Sequence, residues 1–599
     1  MNSPLRSLDL APVGNGRLGW LIDPLGTIVW GCWPRFDADA VFCALLDRPT
    51  DRGARGLWSF ELDGPGSSEQ SYLPNTAILV TRLSDARGNA VQIVDCAPRY
   101  RLHDRLYSPP QFVRLVTPLA GRPTIVTRLR PSFDWGSETP SGICGSNHLR
   151  YQGREGGLRL TTDGSLSAII EERPQLVDRP LAFVLGYDEA LPNSPGAVAR
   201  TAIEETSAYW RQWVRGLAIP YEWQDEVIRA AITLKLNTDE DTGAIVAALT
   251  TSIPESPAST RNWDYRYCWL RDGYFVVDAL NSLGATATME GYLRYVSTIV
   301  TNVANSGLQP VYRISGSESL DERVIETLPG YRGMGPVRVG NQAARQVQHD
   351  VYGAVVLAVT HMFFDRRLAR TGDAALFDQL ESLGKRAIDV YDKPDAGPWE
   401  LRGRQRVHTW SSLMCWAACD RLARIATRIR LPDRAVYWRG EADAIREFIE
   451  RRCWNPRLKS YVASAGGESL DASGLLLAEL NFLSPDDSRF RTTVDAIGRE
   501  LRRGDHVYRY LETDDFGRPQ NAFVACAFWY INALAALGRR DEARAMFERV
   551  LGFRTRLGFY AEHVDPDSGE PWGNFVQTYS MVGLISAARR LSMPWEEAF

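Results

Sequence analysis

The first 200 residues or so alternate apolar and polar positions in short runs, a period of two that predicts strands. The runs fall at Arg17–Val29, Leu57–Leu62, Thr76–Leu83, Ala90–Ala97, Val113–Pro118, Thr124–Leu129, Leu158–Thr162 and Leu181–Tyr187, separated by Gly, Pro, Asp and Asn. That spacing predicts an antiparallel β-sandwich. Near Val198 the apolar positions move to helical spacing. Helices are predicted at Ala202–Arg215, Asp225–Asn237, Tyr274–Leu283, Met289–Asn305, Asn341–Phe364, Ala374–Val390 and Thr409–Arg428. Others follow at Ala435–Arg452, Asp471–Leu480, Ser488–Arg502, Asn521–Leu537, Arg540–Leu551 and Phe575–Leu591. Many helices with Trp, Gly and Pro gathered in their loops suggest helix pairs wound into a toroid, since no fixed repeat period supports a solenoid.

Composition narrows the class. The 599 residues carry 69 basic and 73 acidic side chains, a net charge of −4, which argues against a nucleic-acid partner or an anionic membrane. No apolar run approaches a membrane span, and the first ten residues lack the apolar core of a secretory signal. Nine cysteines without paired CxxC spacing fit free thiols in a reducing, cytoplasmic setting. The 18 Trp and 23 Tyr frequently neighbour Arg, Asp, Glu or Asn. Rings beside charged donors and acceptors suit sugars, although a large core also buries many rings.

Three segments concentrate chemistry. In Arg261–Asp272 aromatic residues alternate with others, and an extended chain would project Tyr265, Tyr267 and Trp269 to one side. Arg271 continues that parity and, with Asp272, opens a helix, so the segment reads as a ring-lined pocket ending in groups that grip hydroxyls. Gly397-Pro398-Trp399-Glu400 places a carboxyl after a ring in a bounded loop. Desolvated, such a carboxyl stays protonated and can donate to a leaving oxygen; solvated, it is an ordinary loop Glu. Gly558–Phe575 holds Glu562 among aromatics, with Asp565 and Glu570 nearby, and reads either as a second carboxylate that activates water or as an acidic surface loop. His563 reads as structural, because no second His stands at ligand spacing.

In order along the chain, Val13-Gly14-Asn15-Gly16-Arg17, Trp33-Pro34-Arg35-Phe36-Asp37, Thr250–Glu255, Arg261–Asp272, Leu308-Gln309-Pro310, Gly330–Gly333, Pro336–Asn341 and Gly573-Asn574-Phe575 resemble the bacterial and archaeal branch of glycoside hydrolase family 15. That branch holds glucoamylases, glucodextranases and trehalases. The resemblance implies a multidomain chain: an N-terminal antiparallel β-sandwich (residues 1–200), a helical linker (201–222) and an all-α (α/α)6 barrel catalytic domain (223–599). It implies Glu400 as general acid and Glu562 as general base. It also implies Arg271 and Asp272 on the terminal sugar's hydroxyls, Tyr265 near the anomeric carbon and Trp269 at the wall, with Tyr267, Trp399 and Arg338 as further lining.

The implied reaction is single-step inversion on an α-glucoside, releasing β-glucose, with the carboxyl groups roughly 6.5–9.5 Å apart. No metal and no cofactor are needed, and the partner is a small α-glucoside or oligosaccharide. Trehalose is the leading substrate; maltose-type or α-1,6-linked oligosaccharides are the alternative. A phosphorylase on the same barrel is disfavoured by the second carboxylate, and a silent sugar-binding protein by the presence of both. Departures from the family pattern are Ser259-Thr260 for a Gly-Gly pair, Arg313 for Gly, Ser315 for Asp, Leu401 and His563 where a Glu is common, and Val576 for Pro. Arg313 and Ser315 are expected to reshape the pocket rim. The sequence specifies no oligomeric state.

Overall fold

A computed structural model describes residues 7–48, 54–62, 66–140, 142–154, 156–302 and 307–598. The N-terminal part is two antiparallel sheets of seven and eight strands. Trp20, Trp58 and Phe60 of the first and Leu79, Ile93, Phe112 and Phe183 of the second meet in one core. The alternation of apolar and polar residues thus puts one face of each sheet inside. The run Arg17–Val29 is not one strand: Gly19–Ile22 and Ile28–Trp33 pair across a turn in which Asp23 Oδ1 accepts from Leu25 N and Thr27 N.

Helices follow: α1 (Leu166–Ile170), α2 (Pro195–Arg215), α3 (Gln224–Leu236), α4 (Leu270–Ser282), α5 (Thr286–Asn302), α6 (Asp350–Phe364) and α7 (Ala374–Val390). Then come α8 (Thr409–Arg428), α9 (Pro432–Arg452), α10 (Ser488–Glu500), α11 (Val524–Ala536), α12 (Arg540–Leu551) and α13 (Thr578–Leu591). Residues 303–305 of the expected Met289–Asn305 helix lie outside the described residues. α2 starts before residue 200, because Ser194 caps it by accepting from Ala197 N and Pro195 suits its first turn. Its Ala199 and Ala202 pack on the sheet residues Val113 and Val184, and its Trp210 packs on Ile232 and Leu236 of α3.

Two expected helices are shorter than their apolar spacing suggested. Asn341–Phe364 is a 3-10 turn at Gln342–Arg345, an irregular stretch, and then α6. Asp471–Leu480 is a 3-10 helix at Ala472–Leu476 continued by turns, with Asp471 capping Ser473 N.

The helices sort by composition into two layers. α6 and α11 are apolar nearly all round and buried on most faces, whereas α7, α10 and α12 bury one stripe. α4 packs on α6, α6 on α8, α11 on α13 and α13 on α4, with the 3-10 helix against α11. Outside them lie α3 on α13, α5 on α4, α7 and α9 on α8, and α12 on α11. Gly353 makes the α6–α8 approach possible: a Cβ there would sit 2.3 Å from the Met414 carbonyl oxygen.

The segments preceding α4, α6, α8, α11 and α13 gather at one end of this layer. The positive dipole ends of these helices therefore face the same space. The sandwich braces one of those segments from behind. Arg266, fully buried, pairs with Asp264 at 2.7 Å, donates to Ala38 O at 2.6 Å and lies over the Trp135 ring.

Candidate active site

A cavity enclosing about 850 Å³, the open space at its mouth included, lies at those N-termini. Glu400, Glu562, Tyr265, Trp269, Arg271, Asp272 and Trp399 all line it. Seven of the nine residues singled out from the sequence therefore converge.

The two carboxyl groups are held differently. Glu562 is 3% exposed and stands just before the short strand His563–Val564. Its Oε1 accepts from the Tyr265 hydroxyl at 2.8 Å, and His563 Nδ1 lies 3.3 Å from its Oε2. Gly573 faces it with φ +76°, and a Cβ there would come within 2.9 Å of Glu562 Cβ and Oε2, so the loop after Glu562 requires glycine. Glu400 sits on the tight turn after Gly397, itself at φ +60°, a left-handed conformation costly for a non-glycine residue. The turn is locked by Glu400 N donating to Gly397 O and Leu401 N to Ala396 O. Three nitrogen donors converge on Glu400 Oε1: Trp269 Nε1 at 2.6 Å, Arg271 Nη2 at 3.3 Å and Gln348 Nε2 at 3.3 Å. None of the three reaches Oε2.

Arg271 and Asp272 open α4. Arg271 is fixed by Asp350 Oδ2 at 3.1 Å and Gln348 Oε1 at 3.0 Å. Burial pushes the Asp272 carboxyl up to about 6; Arg271 opposes the rise, and Glu400 and Glu562 add to it. The Tyr265 hydroxyl is held well above its ordinary range by burial and then by Glu562, so it stays a donor. Trp399 donates to Asp471 Oδ2 at 2.7 Å, which fixes its ring at the wall.

Two expected lining residues stand elsewhere. Tyr267 is fully buried behind the wall, its hydroxyl accepting from Gly340 N at 3.1 Å. The chain bends at Arg266 and Tyr267, so the strict alternation assumed for an extended segment breaks, and of Tyr265, Tyr267 and Trp269 only the first and last line the cavity. Arg338 pairs with Glu322 at 2.9 Å and lies over the Trp263 ring from outside the cavity. Arg313 is not at the rim either. It reaches Asp37 of the sandwich at 3.4 Å, donates to Ser319 O and covers the Tyr267 ring.

Sequence reasoning did not single out Glu255, Arg509, Gln348, Asp350 or Tyr579. Glu255 pairs with Arg509 at 2.6 Å. Burial alone would raise its carboxyl, but Arg509, His563 and Arg261 hold it below the usual carboxylate range. Glu255, Glu562 and His563 could each present a ligand atom within 4.8 Å of the others. The guanidinium groups already on Glu255 make that cluster an ion-pair network rather than a vacant cation cage. The run Tyr508-Arg509-Tyr510 repeats the ring-and-guanidinium alternation of Arg261–Asp272 and was the signal available. Gln348 and Asp350 carry no such signal; the turn before α6 and its first residue deliver them.

The profile of Glycosyl hydrolases family 15 matches residues 223–589. A trehalase of Mycobacterium tuberculosis is 32% identical over 634 aligned residues, covering 100% of this chain and 92% of the relative. A trehalase of Mycolicibacterium smegmatis is 33% identical, covering 96% and 90%. Among solved structures, a bacterial glucoamylase complexed with acarbose superposes with a TM-score of 0.69 at 14% identity, covering 99% of this chain and 95% of that one, a likeness of fold alone.

Proposed function

This chain belongs to glycosyl hydrolases family 15 and is a glycosidase, and on that premise we propose that it hydrolyses α,α-trehalose with inversion. The observation that carries the chemistry is the pair of carboxyl groups on one ring-lined cavity, each fixed by a donor from the same Arg261–Asp272 segment. The full-length likeness to curated trehalases supports the substrate.

In this reading Glu400 donates the proton on Oε2 to the glycosidic oxygen while Glu562 takes a proton from water on the opposite ring face. Arg271 and Asp272 hold hydroxyls of the terminal glucosyl unit, and Trp399 and Trp269 pack on its apolar faces. Charge grows on the anomeric carbon and ring oxygen in the transition state, where the Tyr265 oxygen and the buried carboxylates gain most. The acid and base require no metal or other cofactor. The packing of α4, α6, α8, α11 and α13 around the cavity supports an (α/α)6 barrel, with residues 1–200 as the sandwich, 201–222 within the linker region and 223–599 as the catalytic domain. Nine free cysteines, eight of them buried, support a reducing, cytoplasmic setting. No helix among the described residues is long and apolar enough to cross a membrane.

Glucose release from trehalose, maltose, isomaltose and a longer α-glucan, with Glu400→Gln as the blank, tests the substrate. Release mainly from trehalose is the expected result. Trehalose untouched while maltose or isomaltose is cleaved would move the enzyme to the oligosaccharide glucosidases.

A further inference from the structure

Two loops meet across the mouth of the cavity. One, Leu401–Arg406, follows Glu400 directly; the other, Glu512–Gly517, arrives from the chain before α11. Their ties run nearly the whole length of the crossing. Gly403 N donates to Asp515 Oδ2 at 2.6 Å, Arg404 Nη1 to Thr513 O at 2.8 Å and Arg406 Nη1 to Glu512 Oε2 at 2.7 Å. A Cβ on Gly403 would fall 2.5 Å from Asp515 Oδ1, so the two loops approach closely here.

The far loop is also pinned from the aromatic segment. Arg261 Nη2 donates to Asp514 Oδ1 at 2.5 Å and Gly517 O at 2.7 Å, and Tyr510 donates its hydroxyl to Asp514 Oδ2. Above the pin, the Phe516 ring stands edge-on to Trp263 at 5.2 Å, and the Arg402 guanidinium lies 4.2 Å from the Trp263 centroid. Glu322 holds Arg402 in place through both oxygens. The exposed Asp515 and Phe516 and the half-buried Arg402 line the cavity together with the buried Glu562 and Asp272 and the half-buried Glu400.

We infer that the Glu512–Gly517 strap, tied to the loop behind the acid, is the element that limits the leaving group to a single sugar. The inference rests on the reading of Glu400 as the acid. A leaving group starts at the oxygen that Glu400 protonates, and any second sugar on it must pass between loops that are fastened together. An untied mouth would leave room for a chain; a tied one favours a disaccharide. Arg404 and Arg406 fasten the strap from outside the catalytic cavity, so removing them loosens the mouth and leaves the reacting groups in place.

The test compares kcat/KM on trehalose with that on 4-O-α-glucosyl-trehalose, whose cleavage at the 1,1 bond yields glucose and maltose. The proteins are the parent, Arg404→Ala, Arg406→Ala and the double variant, with Arg404→Lys as the conservative control. The parent should prefer trehalose, and the double variant should lose about tenfold of that preference while trehalose turnover stays within about threefold. Arg404→Lys should restore most of the preference. An unchanged preference in a folded double variant, or in both single variants if the double does not fold, overturns the strap and leaves trehalose hydrolysis standing. A parent that cleaves maltose but not trehalose overturns the substrate reading instead. The strap is then judged in the same proteins on maltose against maltotriose, with the same two outcomes.

Discussion

Tyr265 and Trp269 stand edge to face, ring centroids 5.3 Å apart, and each donates to a different carboxyl group of the cavity: Tyr265 to Glu562 and Trp269 to Glu400. One short segment therefore sets the positions of the proposed acid and base together. Removing either donor should disturb one carboxyl and spare the other.

Tyr265→Phe removes a hydrogen bond to Glu562 and keeps the ring. A hydrogen bond to a charged group contributes about 1.5–3 kcal/mol, so kcat should fall by about 10- to 100-fold with KM nearly unchanged. Steady-state kinetics on trehalose check this. A fall confined to KM would place Tyr265 in substrate binding alone.

Asp272 carries a sign that can be worked out. Its folded-state value of about 6 lies above the ordinary 3.8, so between those values the folded protein binds more protons and stability falls as pH rises through that window. Asp272→Asn should therefore be the more stable protein at pH 7, by on the order of 1–3 kcal/mol, and nearly equal to the parent at pH 4. Urea unfolding at both values measures it. The same variant should bind trehalose more weakly if Asp272 accepts from sugar hydroxyls as proposed, and binding measured alongside checks that role.

Glu255→Gln reverses the stability effect. It leaves the buried Arg509 guanidinium without its carboxylate partner, at a cost of about 3–5 kcal/mol. Because the Glu255 carboxyl is held down, its contribution is fully present above the unfolded carboxylate value and is lost only as pH falls through the lowered one. Thermal unfolding at neutral pH should show the deficit, and equal midpoints there would contradict it.

Arg313→Ala should leave the preference between trehalose and maltose within about twofold, since Arg313 ties the catalytic part to Asp37 of the sandwich and not to substrate, and a part-exposed pair of this kind contributes about 1 kcal/mol or less. A changed preference in the substrate panel would return Arg313 to the rim.

The contrast between Arg313 and Glu400 shows what was legible in the sequence. Glu400, Glu562, Arg271 and Asp272 could be found because local pattern and family resemblance both marked them, and the strand-then-helix change near residue 200 followed from apolar periodicity. Arg313 and Tyr267 were misplaced because their surroundings come from the sandwich and from a bend at Arg266, which Asp264, Ala38 and Trp135 stabilise from distant parts of the chain. Gln348 and Asp350 stayed hidden for the same reason: their role arises from α6 meeting α4. The 3-10 turn at Ala472–Leu476 kept helical apolar spacing while Asp471 capped its start, and periodicity alone does not distinguish it from an α-helix.

The most direct test of the central claim is proton NMR of the glucose released in the first moments of trehalose hydrolysis, before the anomers equilibrate. Inversion at one ring leaves the other ring's α configuration untouched, so the account predicts β- and α-glucose in equal amounts. α-Glucose alone would mean retention and would contradict the roles given to Glu400 and Glu562.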